Sequence, residues 1–94
     1  MKLLTLARDL KRRKAREKHQ LFVAEGVRAV EELLRSELTI RGALVASQLL
    51  DAPRGADLPG ALRSRGIVIE EVAANIFGSA AETESPQGVL VIAE

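Results

Sequence analysis

Four short runs of apolar residues, separated by stretches with helical periodicity, constrain the fold of this chain more than any other feature. A continuous run of this length is typical of a strand covered on both faces, whereas apolar residues three and four positions apart indicate an amphipathic helix. Strands that alternate with helices predict an α/β fold, a three-layer α/β/α sandwich with a small, mostly parallel sheet and helices on both faces. The runs are Leu21–Ala24, Ile40–Ala46, Ile67–Ile69 and Gly88–Ala93.

Helices are predicted before and between these runs. Leu3, Leu6 and Leu10 share one helical face, which predicts an amphipathic helix from residue 2 to about residue 10. Beyond it the apolar stripe stops while helix-favouring residues continue, so Lys11–Lys18 is predicted to be a helical extension solvated all round. Three more helices are predicted: one that begins after Gly26, one from Leu58 to Arg65 with Asp57 as its N-cap, and one over Ala73–Ala81.

The size and composition of the chain exclude several kinds of site. Its 94 residues suffice for one domain. The absence of cysteine excludes disulfides, thiolate metal ligands and a cysteine nucleophile. His19 is the one histidine, so no metal site and no catalytic triad are predicted. The N-terminus lacks the pattern of a signal peptide and no apolar run is long enough to cross a bilayer, which makes a cytoplasmic protein the expectation.

The distribution of charge is more informative than its total. The first 20 residues contain eight basic and two acidic side chains, a net charge of +6. The rest of the chain contains six basic and 11 acidic side chains, a net charge of −5. Such asymmetry predicts a strongly charged partner, with nucleic acid ahead of an acidic membrane surface. The basic side chains predicted to contact it are Lys11, Arg12, Arg13, Lys14, Arg16 and Lys18.

The basic stretch favours phosphate as the bound group. Only Glu17 is placed to relieve its self-repulsion, by a helical pairing with Arg13 four residues before it. Phosphates would relieve the remainder, with release of counterions. A membrane is disfavoured because no apolar side chains lie opposite the charges. Phe22 and Phe77 stand in apolar contexts that indicate core residues, which predicts recognition of a folded RNA by backbone and shape and not by base stacking.

Two turns accompany the strands. Glu25 and Gly26 lie at the junction between the first strand and its helix, and Gly88 opens the last strand, so these three residues are predicted to have structural roles. Arg28 lies in the first helical turn, where the dipole disfavours a basic residue, and this makes it a candidate contact with the ligand. Gln87 can both donate and accept, and is a candidate RNA contact if its turn lies near the basic stretch.

Taken together, three motifs resemble those of the N-terminal substrate-binding domain of SpoU-type (TrmH-like) RNA ribose 2′-O-methyltransferases. The resemblance spans essentially the whole chain and implies a fold similar to that of small ribosomal proteins that bind kink-turn RNA. The motifs are the basic run Lys11-x-x-Lys14-x-Arg16, the segment Leu21–Leu33 with its Phe-Val-Ala-Glu-Gly core, and Ser85-Pro86-Gln87-Gly88-Val89-Leu90.

The resemblance implies a division of labour between two domains. Residues 1–94 would capture ribosomal or transfer RNA, and a knotted domain following them would bind S-adenosylmethionine and transfer the methyl group. No catalytic residue and no cofactor are therefore expected in this domain, which should be a monomer alone and a homodimer through the catalytic domain in the parent protein. Two alternatives remain open: a stand-alone ribosomal-type RNA-binding protein, and a protein-interaction module that uses the acidic remainder.

Overall fold

A computed structural model describes residues 2–94, which form five helices around a four-stranded sheet. Two 3₁₀ turns, Ser47–Asp51 and Gly55–Asp57, lie between the second strand and the fourth helix. The strands are β1 (Phe22–Glu25), β2 (Ile40–Val45), β3 (Ile69–Glu71) and β4 (Val89–Ala93). The helices are α1 (Leu3–Asp9), α2 (Arg13–His19), α3 (Val27–Leu34), α4 (Leu58–Ser64) and α5 (Ala74–Ala80).

The sheet is mixed, so the prediction of a mostly parallel sheet was wrong. Its strand order is β1-β4-β2-β3, and only the β2–β3 pair is parallel. The last strand lies between β1 and β2 and runs antiparallel to both. All five of its residues are buried. An apolar run shows that a strand is covered, but its direction depends on where the preceding connection enters the sheet.

Helices cover both faces of the sheet, which confirms the three-layer α/β/α arrangement. One core joins α3 and α4 to the sheet through residues that include Val30, Leu62 and Val91. The other joins α1, α2 and α5 to the opposite face through residues that include Leu10, Phe77 and Ile92. Val91 and Ile92 serve different cores because successive side chains of a strand point to opposite faces.

The outer strands depart from the predicted burial. β1 lies at one edge of the sheet, and Val23 and Ala24 pack against opposite cores. Phe22 is 36% exposed, so the predicted coverage on both faces holds for only part of this run. At the other edge, β3 begins at Ile69, two residues later than predicted, and Val68 is 66% exposed. Short edge strands have neighbours on one side only, and local apolar composition does not reveal this.

The first two helices are separate, which corrects the predicted continuous extension. Arg12 lies between them and has an extended backbone (φ −90°, ψ 134°). The change of direction lets Ala15 reach the core, where it is only 6% exposed. The segment is therefore solvated on one side and packed on the other.

Candidate nucleic-acid interface

The junction between α1 and α2, from Asp9 to His19, is held by hydrogen bonds and is termed here the elbow. The guanidinium of Arg16 donates from Nη1 to the carbonyl oxygens of Leu10 (2.9 Å) and Lys11 (2.8 Å). These carbonyls lie where α1 has ended, so a cationic side chain satisfies groups that helix hydrogen bonding leaves free. Arg16 is thereby half-buried and fixes the direction of α2.

Asp9 connects the two ends of α2. Its carboxylate forms an ion pair with Arg12, and the Nε2 atom of His19 lies 3.6 Å from its Oδ2 atom. The hydrogen bond from Arg12 holds the pKa of Asp9 below its ordinary value. Desolvation raises this pKa, whereas the charges of Arg12 and His19 lower it further. The negative charge of Asp9 therefore helps to keep the elbow closed.

Three lysines of the elbow are exposed and free. Among residues 2–94, no carboxylate forms an ion pair with Lys11, Lys14 or Lys18. Arg13, by contrast, pairs with Glu17 at 3.0 Å, which confirms the predicted helical pairing. Lys14 and Lys18 are one helical turn apart and therefore lie on the same side of α2. With Asp9, Arg12, Arg13 and Ala15 they line a depression of about 350 Å³.

The two predicted turns meet at the opposite end of β1 and form a second site, termed here the clasp. The Oε1 atom of Gln87 accepts a hydrogen bond from the backbone N–H of Val27 (2.9 Å). The carboxylate of Glu25 accepts hydrogen bonds from the N–H of Glu82 (2.9 Å) and from the hydroxyl of Thr83 (2.6 Å). The clasp thus pins the loop before β4 to the start of α3.

Both glycines of the clasp have backbone conformations that favour glycine. Gly26 has a φ of +99° and Gly88 a φ of +95°. A Cβ atom on Gly88 would lie 2.9 Å from the backbone nitrogen of Leu49, so Gly88 also permits a close approach of two backbone segments.

Arg28 and Gln87 are not grouped with the elbow. Arg28 is on α3, which packs on the face of the sheet opposite α2, and it lies 3.7 Å from Glu32. Gln87 is beside the Glu25 end of β1, whereas α2 leads into the Phe22 end. The acceptor oxygen of Gln87 is already used by Val27, which leaves its amide N–H groups for any ligand.

One ion pair on the surface could not be predicted from the sequence. Arg54 donates from Nε and Nη2 to the carboxylate of Glu31 at 2.9–3.1 Å. The hydrogen bond from Arg54 lowers the pKa of Glu31, and the same bond raises the pKa of Arg54. The pair ties the 3₁₀ turns to α3, and nothing in the local sequence links residues so far apart.

In the part of the chain that the structure describes, no three His, Cys, Asp or Glu side chains are placed to hold a metal ion. None of the described helices combines the length and the apolar character needed to cross a membrane.

Comparisons with known proteins agree with the motifs. Residues 4–91 match the family described as MRM3-like substrate binding domain. No curated protein matches the chain significantly. Among solved structures, an RNA 2′-O ribose methyltransferase has a TM-score of 0.80 at 23% identity over 97% of this chain. An rRNA methyltransferase from Sinorhizobium meliloti with bound AdoMet has a TM-score of 0.74 at 23% identity over 98% of this chain.

A third solved structure has a similar fold at lower sequence identity. The SpoU methyltransferase AviRb from Streptomyces viridochromogenes has a TM-score of 0.66 at 20% identity over 97% of this chain. The chain spans about a third of each of these proteins, 33% to 34% of their length. At identities this low, the structural similarity establishes a shared fold and no more. The family assignment rests on the match over residues 4–91. The chain therefore belongs to the family of MRM3-like substrate binding domains.

Proposed function

We propose that this domain captures RNA through the elbow for a methyltransferase that modifies ribose 2′-hydroxyls of ribosomal or transfer RNA. The observation that carries the proposal is the set of three exposed lysines without carboxylate partners, two of them on a helix whose direction is fixed by Arg16. Cations presented in this way bind phosphates without first breaking an ion pair. The similarity of the fold to that of solved methyltransferases supports the proposed class of enzyme.

The proposal extends to the parent protein. A catalytic domain following residue 94 would bind S-adenosylmethionine and transfer the methyl group, and no cofactor is assigned to the domain described here. The parent would act in the cytoplasm as a dimer through its catalytic domain, while the substrate-binding domain alone would be a monomer. The support for this division is that the chain matches only a third of each related methyltransferase.

The basic side chains of the elbow would contribute unequally. Lys11, Lys14 and Lys18 would contact phosphates directly. Arg12 and Arg13 have side chains 75% and 84% exposed, so phosphate oxygens can replace their carboxylate partners. Arg16 would bind RNA only through the guanidinium N–H groups that the carbonyls of Leu10 and Lys11 leave free.

The test compares two double variants that remove the same charge. Lys14→Ala/Lys18→Ala changes the elbow, whereas Arg35→Ala/Arg63→Ala changes α3 and α4 on the other face of the sheet. Binding of labelled tRNA and of rRNA hairpins is measured over a range of salt concentrations. The elbow variant should lower the slope of log affinity against log salt by about two, because each lost phosphate contact removes about one. Equal losses in the two variants would contradict the assignment of the surface.

Arg28 and Gln87 are proposed as peripheral contacts and need a separate test. Gln87→Glu keeps an acceptor for the N–H of Val27 but removes the amide donors. We expect affinity for RNA to fall a few-fold with little change in melting temperature, and Arg28→Ala to act similarly. If both variants bind RNA as the parent does, the interface is confined to the elbow.

A further inference from the structure

The two aromatic side chains of this protein have opposite environments. Phe77 is fully buried in the core between α5 and the sheet. Phe22 opens the edge strand β1 and is 36% exposed, in a position that the chain enters directly from α2. The ring of Phe22 belongs to neither core of the domain, so part of it is available to a ligand.

Phe22 borders a depression of about 390 Å³ that residues of α2 also line. The other side chains around it supply cationic, amide, carboxylate and aliphatic groups; they belong to Arg13, Arg16, Glu17, Gln20 and Leu21. Arg13 lines both this depression and the one that contains Lys14 and Lys18. The aromatic position is thus continuous with the proposed phosphate-binding surface.

We propose that Phe22 is a stacking platform for one unpaired nucleobase of the bound RNA. The inference rests on the proposed function and deepens it, because it names the RNA class: single-stranded or bulged RNA, with at least one base turned away from a helix. Every base has a face that can stack on an aromatic ring, and a neighbouring arginine adds attraction. A base already paired within a duplex lacks a free face, so a uniform duplex would not use this position.

The groups beside Phe22 favour a nucleobase over an apolar peptide. Gln20 ends α2 in a left-handed conformation (φ +57°), where Gly or Asn is usual, and so places a long amide side chain at the rim. Its Nε2 atom donates to the carbonyl oxygen of Glu17 (2.8 Å), which leaves its amide oxygen for the N–H groups of a base. An apolar peptide would bury these polar groups without partners, whereas a base edge offers both donors and acceptors.

The position also agrees with the distribution of charge. Arg13 and Arg16 flank the depression, and the free lysines of α2 lie beyond it. A strand whose phosphates contact Lys14 and Lys18 would carry its bases past the Phe22 end of β1. Stacking on Phe22 would add a contact with one base to the recognition by backbone and shape that the sequence predicts.

The experiment measures the affinities of a single-stranded RNA oligonucleotide and of the perfect duplex of the same sequence. Phe22→Leu keeps an apolar side chain but removes the ring. We expect about a five- to tenfold loss of affinity for the single strand and less than a twofold change for the duplex. Leu38→Ala is the matched control, because it also reduces an exposed apolar side chain (43% exposed) and should leave both affinities unchanged.

A second variant reports on stacking without relying on affinity. The protein contains no tryptophan, so Phe22→Trp introduces a single emitting indole. Single-stranded RNA should quench its fluorescence and duplex RNA should not. Retained single-strand affinity in Phe22→Trp would also show that the loss in Phe22→Leu comes from the missing ring and not from misfolding.

The outcomes separate this inference from the proposed function. If Lys14→Ala/Lys18→Ala loses affinity while Phe22→Leu binds both RNAs as the parent does, the stacking platform is refuted and the exposed ring is better explained as a contact with protein. An equal loss for single strand and duplex would refute it too, because Phe22 would then act through the placement of α2. If the parent binds neither RNA, both proposals fail.

Discussion

The elbow and the clasp lie at opposite ends of β1, and both contain the motifs on which the family resemblance rests. Their side chains are used differently. In the clasp, Glu25 and Gln87 accept hydrogen bonds from backbone N–H groups of their own domain. In the elbow, Lys14 and Lys18 have no such partners within residues 2–94.

Two motifs of one family can therefore differ in what their side chains do: those of the clasp hold two turns together, whereas the lysines of the elbow are left for the RNA contacts proposed above. A polar side chain that satisfies a backbone group cannot be removed without leaving that group unpaired. An exposed lysine can be removed at little cost to the fold. Substitutions in the clasp should therefore lower the stability of the fold, whereas substitutions of the elbow lysines should lower the affinity for RNA.

The largest effect is expected from a substitution in the clasp region. Gly88→Ala places a Cβ atom 2.9 Å from the backbone nitrogen of Leu49 and 3.2 Å from the carbonyl oxygen of Ala46, at a φ of +95°. Backbone strain and overpacking together should lower the free energy of unfolding by about 2–4 kcal/mol. Chemical denaturation measures the loss, and RNA affinity of the folded protein should change little.

Gly78→Ala is the matched control for this substitution. Gly78 lies in α5, and no atom would come within 4 Å of a new Cβ. Because alanine favours helix more than glycine does, the control should raise the free energy of unfolding by about 0.5–1 kcal/mol. Equal destabilisation by both alanines would contradict the close approach described for Gly88.

A smaller effect on stability, with a larger one on binding, is expected at the elbow. Arg16→Ala removes two hydrogen bonds to the carbonyl oxygens of Leu10 and Lys11, which should cost about 1–2 kcal/mol. It should also weaken RNA binding more than Lys14→Ala does, because α2 loses its direction as well as one charge. Lys14→Ala should leave the melting temperature unchanged. If Arg16→Ala is as stable as the parent, Arg16 does not hold the elbow.

The smallest effect is a change in pH dependence. The pKa of Asp9 is lowered in the folded state by Arg12 and His19, so its stabilising contribution is complete above the ordinary carboxylate range near 4. That contribution is lost as the pH falls through the lower pKa of the folded state. Asp9→Asn should therefore show a shallower loss of stability between about pH 5 and pH 2 in thermal melts. Parallel curves for parent and variant would contradict a role for this charge.

Much of the fold followed from the sequence, since the positions of the helices and strands depend on local periodicity. The strand that begins at Val89 and the helix that begins at Leu58 lie within a residue or two of their predicted bounds. The break at Arg12 was missed because helix-favouring residues continue through it. The break brings Ala15 into the core, and such a tertiary contact can override local helix propensity.

The candidate site was predicted in composition but not in arrangement. Charge pattern alone identified the basic residues, and their separation from Arg28 and Gln87 appeared only in the structure. The exposure of Phe22 could not be foreseen, because a run of apolar residues does not reveal that its strand lies at the edge of the sheet.

By itself the sequence determined most of the helices and strands, the alternation of α and β and the concentration of positive charge, because periodicity and charge are properties of neighbouring residues. Only the tertiary structure decided that the sheet is mixed, that Arg16 holds the elbow, and that Glu25 and Gln87 join two distant turns. The reason is physical. These features depend on which backbone groups and which surfaces are brought together by residues as far apart in the sequence as Phe22 and Ala93.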